Sequence, residues 1–309
     1  MFYIMSYFIQ VSPERIRTLG YNEHTEAIMA INEKTIRLHN DVTIPSIGYR
    51  TDFKTFGNMY QNVMTALKAG IRHIDIACDP DVEKAVGKAI ADSGIPRSDL
   101  FLTFKLDNED HGYDRAVRAV ENSMKRAGTD YCDLVLIDWP NPLKYRSTYE
   151  KTAIETWKAL ETLYKSGKAR AIGVANFESR HIEFCLEHCE ISPIVNQARI
   201  YPGFPFDDNL HCAHEHAIQT EGFLPPEYKD ILASREVGIL AEKYHLSPWQ
   251  LIMRYQLEKN TIALTQAPEE ELRNLDAVFN VSISKDDMLF MDHMKNYGVE
   301  NIDPDTCDF

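Results

Sequence analysis

Asp75, Lys105 and Asp138 each stand at or near the end of a compact apolar run, in IRHIDIA (71–77), LFLTFK (100–105) and CDLVLID (132–138). Two carboxylates and an ammonium brought to one place suffice for acid/base work, one group giving a proton while another receives it. Asp138 could hold a proton near neutral pH only if desolvation or a nearby carboxylate such as Asp75 raised its pKa. Arg50, closing the run SIGYR (46–50), adds a planar cation suited to an anionic ligand. Two further groups could ligate a metal: His181, Cys185 and Cys189 at helical i, i+4, i+8 spacing, and HCAHEH at 211–216. Neither matches a zinc spacing, so the expectation there is core packing and a solvated face, with no metal.

These residues need elements to position them. After a hairpin-like segment, TIRLHNDVTIPSIGY, the apolar pattern switches repeatedly between short β-type runs and stretches of helical period. Eight strands are predicted: 46–50, 71–77, 100–105, 132–138, 169–175, 193–197, 216–222 and 261–264. Between them lie amphipathic stretches such as MYQNVMTALKAG, VEKAVGKAIADSG, YDRAVRAVENSMKRAG and TAIETWKALETLYKSG, several ending at Gly, a favoured C-cap. Apolar parallel strands with crossover helices imply a sheet covered on its outer face, and eight such units close into a (β/α)8 TIM barrel. An open doubly wound sheet is the alternative, disfavoured because no G-x-G-x-x-G turn follows the first strand. In a barrel the chemistry sits at the C-terminal strand ends, here Arg50, Asp75, Lys105, Asp138, Asn176, Gln197, Phe223 and Thr265.

The segments ALKAGIRHIDIA, EKAVGKAI, LFLTFKL, DYCDLVLIDWPNP, WKALETLYKSGKARAIGVANF and PIVNQ resemble, in order and spacing, successive signatures of the aldo-keto reductases, over about residues 35–295. The resemblance implies an NAD(P)H-dependent carbonyl reductase in which a Tyr donates a proton, a Lys paired with an Asp lowers its pKa, and a His orients the substrate. The Asp and Lys correspond to Asp75 and Lys105. The Tyr, five residues after the Asp, is Pro80, which has nothing to donate. The His of the family's L-I-H-W-P is Asp138, followed by Trp139, expected with Arg50 to bind substrate. Lys105 then reads as half of a surviving ion pair with Asp75, with a proton relay or a Schiff-base nucleophile as its other readings.

The nicotinamide contacts that the resemblance implies fall on Asn176, Gln197 and Phe223, the last keeping an aromatic face without the family's hydroxyl. Alternatively, the two amides satisfy backbone groups at strand ends. At the adenosine end the I-P-K-S segment aligns with Ala263-Leu264-Thr265-Gln266, and the phosphate-binding Arg with Glu271. A carboxylate there repels a 2′-phosphate and suits a ribose hydroxyl, so these positions read as vestigial or NAD-type. The expectation is therefore no cofactor, with NAD(H) as the alternative and NADP(H) disfavoured.

Lys plus Arg total 33 against 47 Asp plus Glu, a net charge of −14 that excludes a phosphate backbone as a natural partner. The apolar opening Met1–Val11 lacks a basic leader and is too short to span a membrane. Six cysteines, mostly within predicted elements, fit a reduced cytoplasmic protein. The organisation expected is an N-terminal extension (1–34), whose aromatic MFYIMSYFIQVSPERIRTLGY could dock a protein partner, and one barrel domain (35–309). The function expected is a cofactor-independent lyase, isomerase or cyclase acting on a small oxygenated compound at the barrel mouth through Asp75, Lys105 and Asp138. Two alternatives stand beside it: a retired barrel, or pseudo-reductase, serving as a binding subunit, and a residual NAD(P)H-dependent oxidoreductase with a substitute donor such as Tyr49 or Tyr113.

Overall fold

The structure, a computed structural model, describes residues 34–51, 58–225, 228–297 and 302–309. The N-terminal segment expected to dock a partner lies outside the described residues up to residue 33. Strands β1 (Thr35–Arg37) and β2 (Thr43–Pro45) form the antiparallel hairpin. Eight parallel strands follow: β3 (Ile47–Arg50), β4 (His73–Asp75), β5 (Phe101–Leu106), β6 (Cys132–Ile137), β7 (Ala169–Ala175), β8 (Val195–Arg199), β9 (Gln219–Phe223) and β10 (Ile262–Thr265). They close into a barrel in the order β10-β3-β4-β5-β6-β7-β8-β9, the expected (β/α)8 architecture. The seam is the pairing of β10 with β3, Ala263 opposite Ile47 and Thr265 opposite Tyr49.

Alternation along each strand sends one set of side chains outward to the helices and the other into the barrel. The outward set is apolar and fully buried, as with Ile74, Leu102, Phe104, Val135 and Val174. Several inward positions are polar. Gly48 makes room for one of them, since a Cβ there would meet His73 Nδ1 at 2.5 Å.

The hairpin covers the N-terminal end of the barrel. Asn40 Nδ2 donates to the Arg170 carbonyl at the start of β7 (2.9 Å), and His39 Nδ1 bonds the Ala217 carbonyl just before β9 (3.0 Å). At that end the buried Asp133 carboxylate is fully engaged by Arg97 (2.7 Å), Arg170 (2.6 Å) and the Leu102 amide (2.9 Å).

The helix Pro80–Ser93 begins where the resemblance places a catalytic Tyr. Asp79 is its N-cap, accepting from the amides of Asp81 (2.8 Å) and Val82 (3.0 Å), and Pro80 takes the first helical position, where a missing N–H costs nothing. Among the described residues no helix is long and apolar enough to cross a membrane.

Candidate active site

The C-terminal ends of β3, β4 and β5 bring Arg50, Asp75 and Lys105 together. Lys105 Nζ donates to Asp75 Oδ2 at 2.6 Å, both groups buried, and Arg50 Nε lies 3.6 Å from the same oxygen. The Asp75 main chain is fixed by Thr51, whose Oγ1 donates to its carbonyl (3.0 Å) and accepts from the Ala77 amide (2.7 Å). The Arg50 guanidinium lies over the Phe223 ring, 4.4 Å from its centroid, a cation–π contact worth about 1 kcal/mol.

Asp138 follows β6, its amide bonded to the Leu106 carbonyl (3.2 Å) and its carbonyl accepting from Asn176 Nδ2 (2.8 Å). Asn176 holds a left-handed conformation at φ 59°, which aims its amide across β7 at Asp138. Burial raises the Asp138 pKa above the usual carboxylate range, and Lys105 and Arg50 pull against that rise.

Beneath this layer lies a polar network that sequence reading missed. Glu221 on β9 is wholly buried and accepts from Gln197 Nε2 at 2.8 Å, and its other oxygen is 3.7 Å from His73 Nε2. His73 also bonds Thr103 Oγ1 at 3.0 Å. Burial, reinforced by the Asp75 charge, pushes Glu221 up to about 8, and burial brings His73 down to about 4. Both are therefore uncharged at neutral pH. The signal available in the sequence was the i, i+2 relation of Glu221 to Phe223, which puts both on the inner face.

The remaining expected residues divide. Gln197 reaches the barrel interior, with its amide N–H engaged by Glu221. Thr265 is buried and caps its own turn, Oγ1 accepting from the Ala267 amide at 3.0 Å. Glu271 is away from the Asp75–Lys105 pair, its carboxylate accepting from Ser247 Oγ at 2.5 Å. Trp139 packs edge-on against Phe309, centroids 4.9 Å apart, and with Asn176, Phe204 and Pro304 lines a cleft.

The segment 302–309 forms part of that wall. Asp305 is held by Asn141 (2.9 Å), Arg180 (2.7 Å) and His181 (3.1 Å), and the Leu143 amide donates to the Phe309 carbonyl (3.0 Å).

Neither tyrosine expected as a substitute donor serves as one. Tyr49 is on the outward face of β3 near Tyr228, and the Tyr113 hydroxyl bonds Thr162 Oγ1 at 3.1 Å on the outer helices. Among the described residues no group of three or more His, Cys, Asp or Glu could hold a metal ion. His181 is bound to Asp305 and the Glu178 amide, and His211 pairs with Glu215.

At the open end of the barrel Asp75 Oδ1, Arg50 Nε and Gln266 Nε2 are buried without a hydrogen-bond partner among the described residues. Orphaned polar atoms beside an aromatic ring that already carries a planar cation fit a flat polar ligand.

Residues 47–209 match the model of the aldo/keto reductase family. The chain is 37% identical over 257 residues to the glyoxal reductase of Bacillus subtilis (strain 168), covering 82% of this chain and 90% of that protein. It is 32% identical over 269 residues to an aldehyde reductase of Saccharomyces cerevisiae, covering 79% and 86%. Among solved structures, a Gox0644 mutant in complex with NADPH superposes with a TM-score of 0.79 at 32% identity, covering 89% of this chain and 98% of that one.

These likenesses overturn two expectations. The cofactor-independent lyase or isomerase, and the pseudo-reductase beside it, give way because the relatives are named reductases at 32–37% identity over most of their length. That reading equated a changed donor position with loss of the reaction, whereas the same mouth holds Asp138, a carboxyl whose burial favours its protonated form. The expectations of no cofactor and of a disfavoured NADP(H) fall to the NADPH complex of a close structural neighbour. The carboxylate on which exclusion rested, Glu271, is engaged by the Ser247 hydroxyl.

Proposed function

Because the chain belongs to the aldo/keto reductase family, we propose that it is an NADP(H)-dependent oxidoreductase reducing a small aldehyde or ketone at the barrel mouth, with Asp75, Lys105 and Asp138 managing the proton. NADP(H), when bound, supplies the hydride that adds to the carbonyl carbon. Asn176, Gln197 and Phe223 would hold its nicotinamide end, and Gln266, with an amide in need of partners, lies toward its other end.

The observation that carries the reading is the buried Lys105–Asp75 ion pair at 2.6 Å with the Asp138 carboxyl in its field. Burial favours the protonated form of Asp138, and Lys105 and Arg50 ease the charge that appears once the proton leaves. Lys105 is fixed by Asp75 at 2.6 Å and has further N–H donors for a carbonyl oxygen. Asp138 would give its proton to the carbonyl oxygen as the alcohol forms, and its carboxylate would then take up a proton from water. Trp139 and Phe309 shape the wall against which a small substrate lies. Pro80, built into a helix start, takes no part.

NADPH consumption with glyoxal and a simple aldehyde tests the proposal directly. Asp138→Asn is expected to lower kcat by ~10²-fold while NADPH still binds in calorimetry. A purified protein that neither binds NADPH nor reduces any small aldehyde or ketone would overturn it.

A further inference from the structure

Cationic charge at the barrel mouth is concentrated on one acceptor. Lys105 Nζ and Arg50 Nε both address Asp75 Oδ2, at 2.6 and 3.6 Å, so one carboxylate oxygen serves two full positive charges. Lys105 has the shorter contact and its side chain is 4% exposed, whereas that of Arg50 is 21% exposed. The other carboxyls of the interior do not restore the balance, since burial holds both Asp138 and Glu221 toward their neutral forms. Arg50 rests on a ring face, with its Nε lacking a hydrogen bond among the described residues. A guanidinium presents its donors in a fork that matches a carboxylate.

We propose that Arg50 is a specificity-determining residue that binds the carboxylate of an anionic substrate, so that the preferred substrates are short oxo acids, aldehydes or ketones with a carboxylate a few bonds from the carbonyl. This rests on the reductase reading and deepens it. Arg50 and Lys105 converge on the same oxygen, so a substrate whose carboxylate meets the first presents its carbonyl to the second. Substrate charge also supplies Arg50 with a counter-ion besides the Asp75 oxygen it shares with Lys105. A neutral aldehyde of the same size would leave the Arg50 charge half-compensated.

The test pairs acids with neutral counterparts: glyoxylate against glyoxal, and 4-oxobutanoate against butanal, with NADPH as reductant. Wild-type kcat/KM is expected to favour the acid by at least tenfold in each pair, Arg50→Met to reduce that ratio by at least tenfold, and Arg50→Lys to retain part of it. A wild-type ratio at or below one, or a ratio unchanged in Arg50→Met, overturns the proposal. So does a rise confined to the KM for NADPH in that variant, which would assign Arg50 to a cofactor phosphate.

Calorimetric binding of glyoxylate separates this failure from that of the reductase reading, because it requires no turnover. Wild-type binding that weakens at least tenfold in Arg50→Met supports the site even if no substrate is reduced, and absence of wild-type binding refutes it.

Discussion

The ammonium at position 105 and the carboxylate at position 75 are buried deeply enough that neither is at ease without the other. Replacing Lys105 by Met leaves Asp75 with Arg50 at 3.6 Å as its nearest cation. Loss of one partner of a buried pair costs about 3–5 kcal/mol, and Arg50 should hold the loss near the lower bound. Urea unfolding of Lys105→Met is expected to show that loss, and the double variant Asp75→Asn with Lys105→Met to recover part of it, because the charge then left without Asp75, that of Arg50, is partly exposed and rests on the Phe223 ring. Equal losses in the single and double variants would mean that packing, not charge, holds the site. The sequence already placed Arg50, Asp75, Lys105 and Asp138 at one barrel end, because each terminates an apolar run. His73 and Glu221 escaped notice for a physical reason. They lie in strands of three and five residues, where alternation is limited to one or two steps such as Glu221 to Phe223, and which face is inward is decided only by closure of the ring.

At the level of elements, strand and helix order was legible throughout, since period-2 and period-3.6 patterns alternate with few interruptions. The run 169–175 is a strand over its whole predicted length, whereas 71–77 is trimmed to His73–Asp75 because the pairing of β4 with β3 and β5 covers only those residues. The helix after β4 starts two residues before the amphipathic stretch, at the Asp79–Pro80 pair. Substituting Asp79 by Ala removes the acceptor for the Asp81 and Val82 amides and should cost about 1 kcal/mol, measured as a lower denaturation midpoint with an unchanged m value. No loss would show that Pro80 alone specifies the helix start. What the sequence left open was whether a changed donor position means a changed reaction: a proline at that position says nothing of other acids, and the effect of burial on Asp138 is visible only in the structure.

Across the whole molecule, the uncharged Glu221 and His73 make stability depend on pH in opposite senses. Glu221, raised from 4.5 to about 8, retains a proton that the unfolded chain releases, so its contribution is full at low pH and is lost as pH rises toward 8. His73, lowered from 6.5 to about 4, refuses a proton that the unfolded chain accepts, so its contribution grows with pH up to 6.5 and then levels. The two offset each other between 4.5 and 6.5, and above that window only the Glu221 decline remains, at most ~1.4 kcal/mol per pH unit. The Tm is expected to fall between pH 6.5 and 8 in the wild type and to stay nearly flat in Glu221→Gln; parallel curves would locate the dependence elsewhere. The seam of the barrel has a different kind of consequence. Arg50 and Phe223 belong to β3 and β9, the two neighbours of β10, so their contact bridges the strand that joins the two ends of the sheet. A chain that has formed seven strands but not the eighth possesses every site residue before β10 and yet no mouth. Ligand capture is thus conditional on completion of the ring, and any molecule that binds the finished mouth beside Arg50 acts as a latch, drawing the population toward finished barrels by mass action.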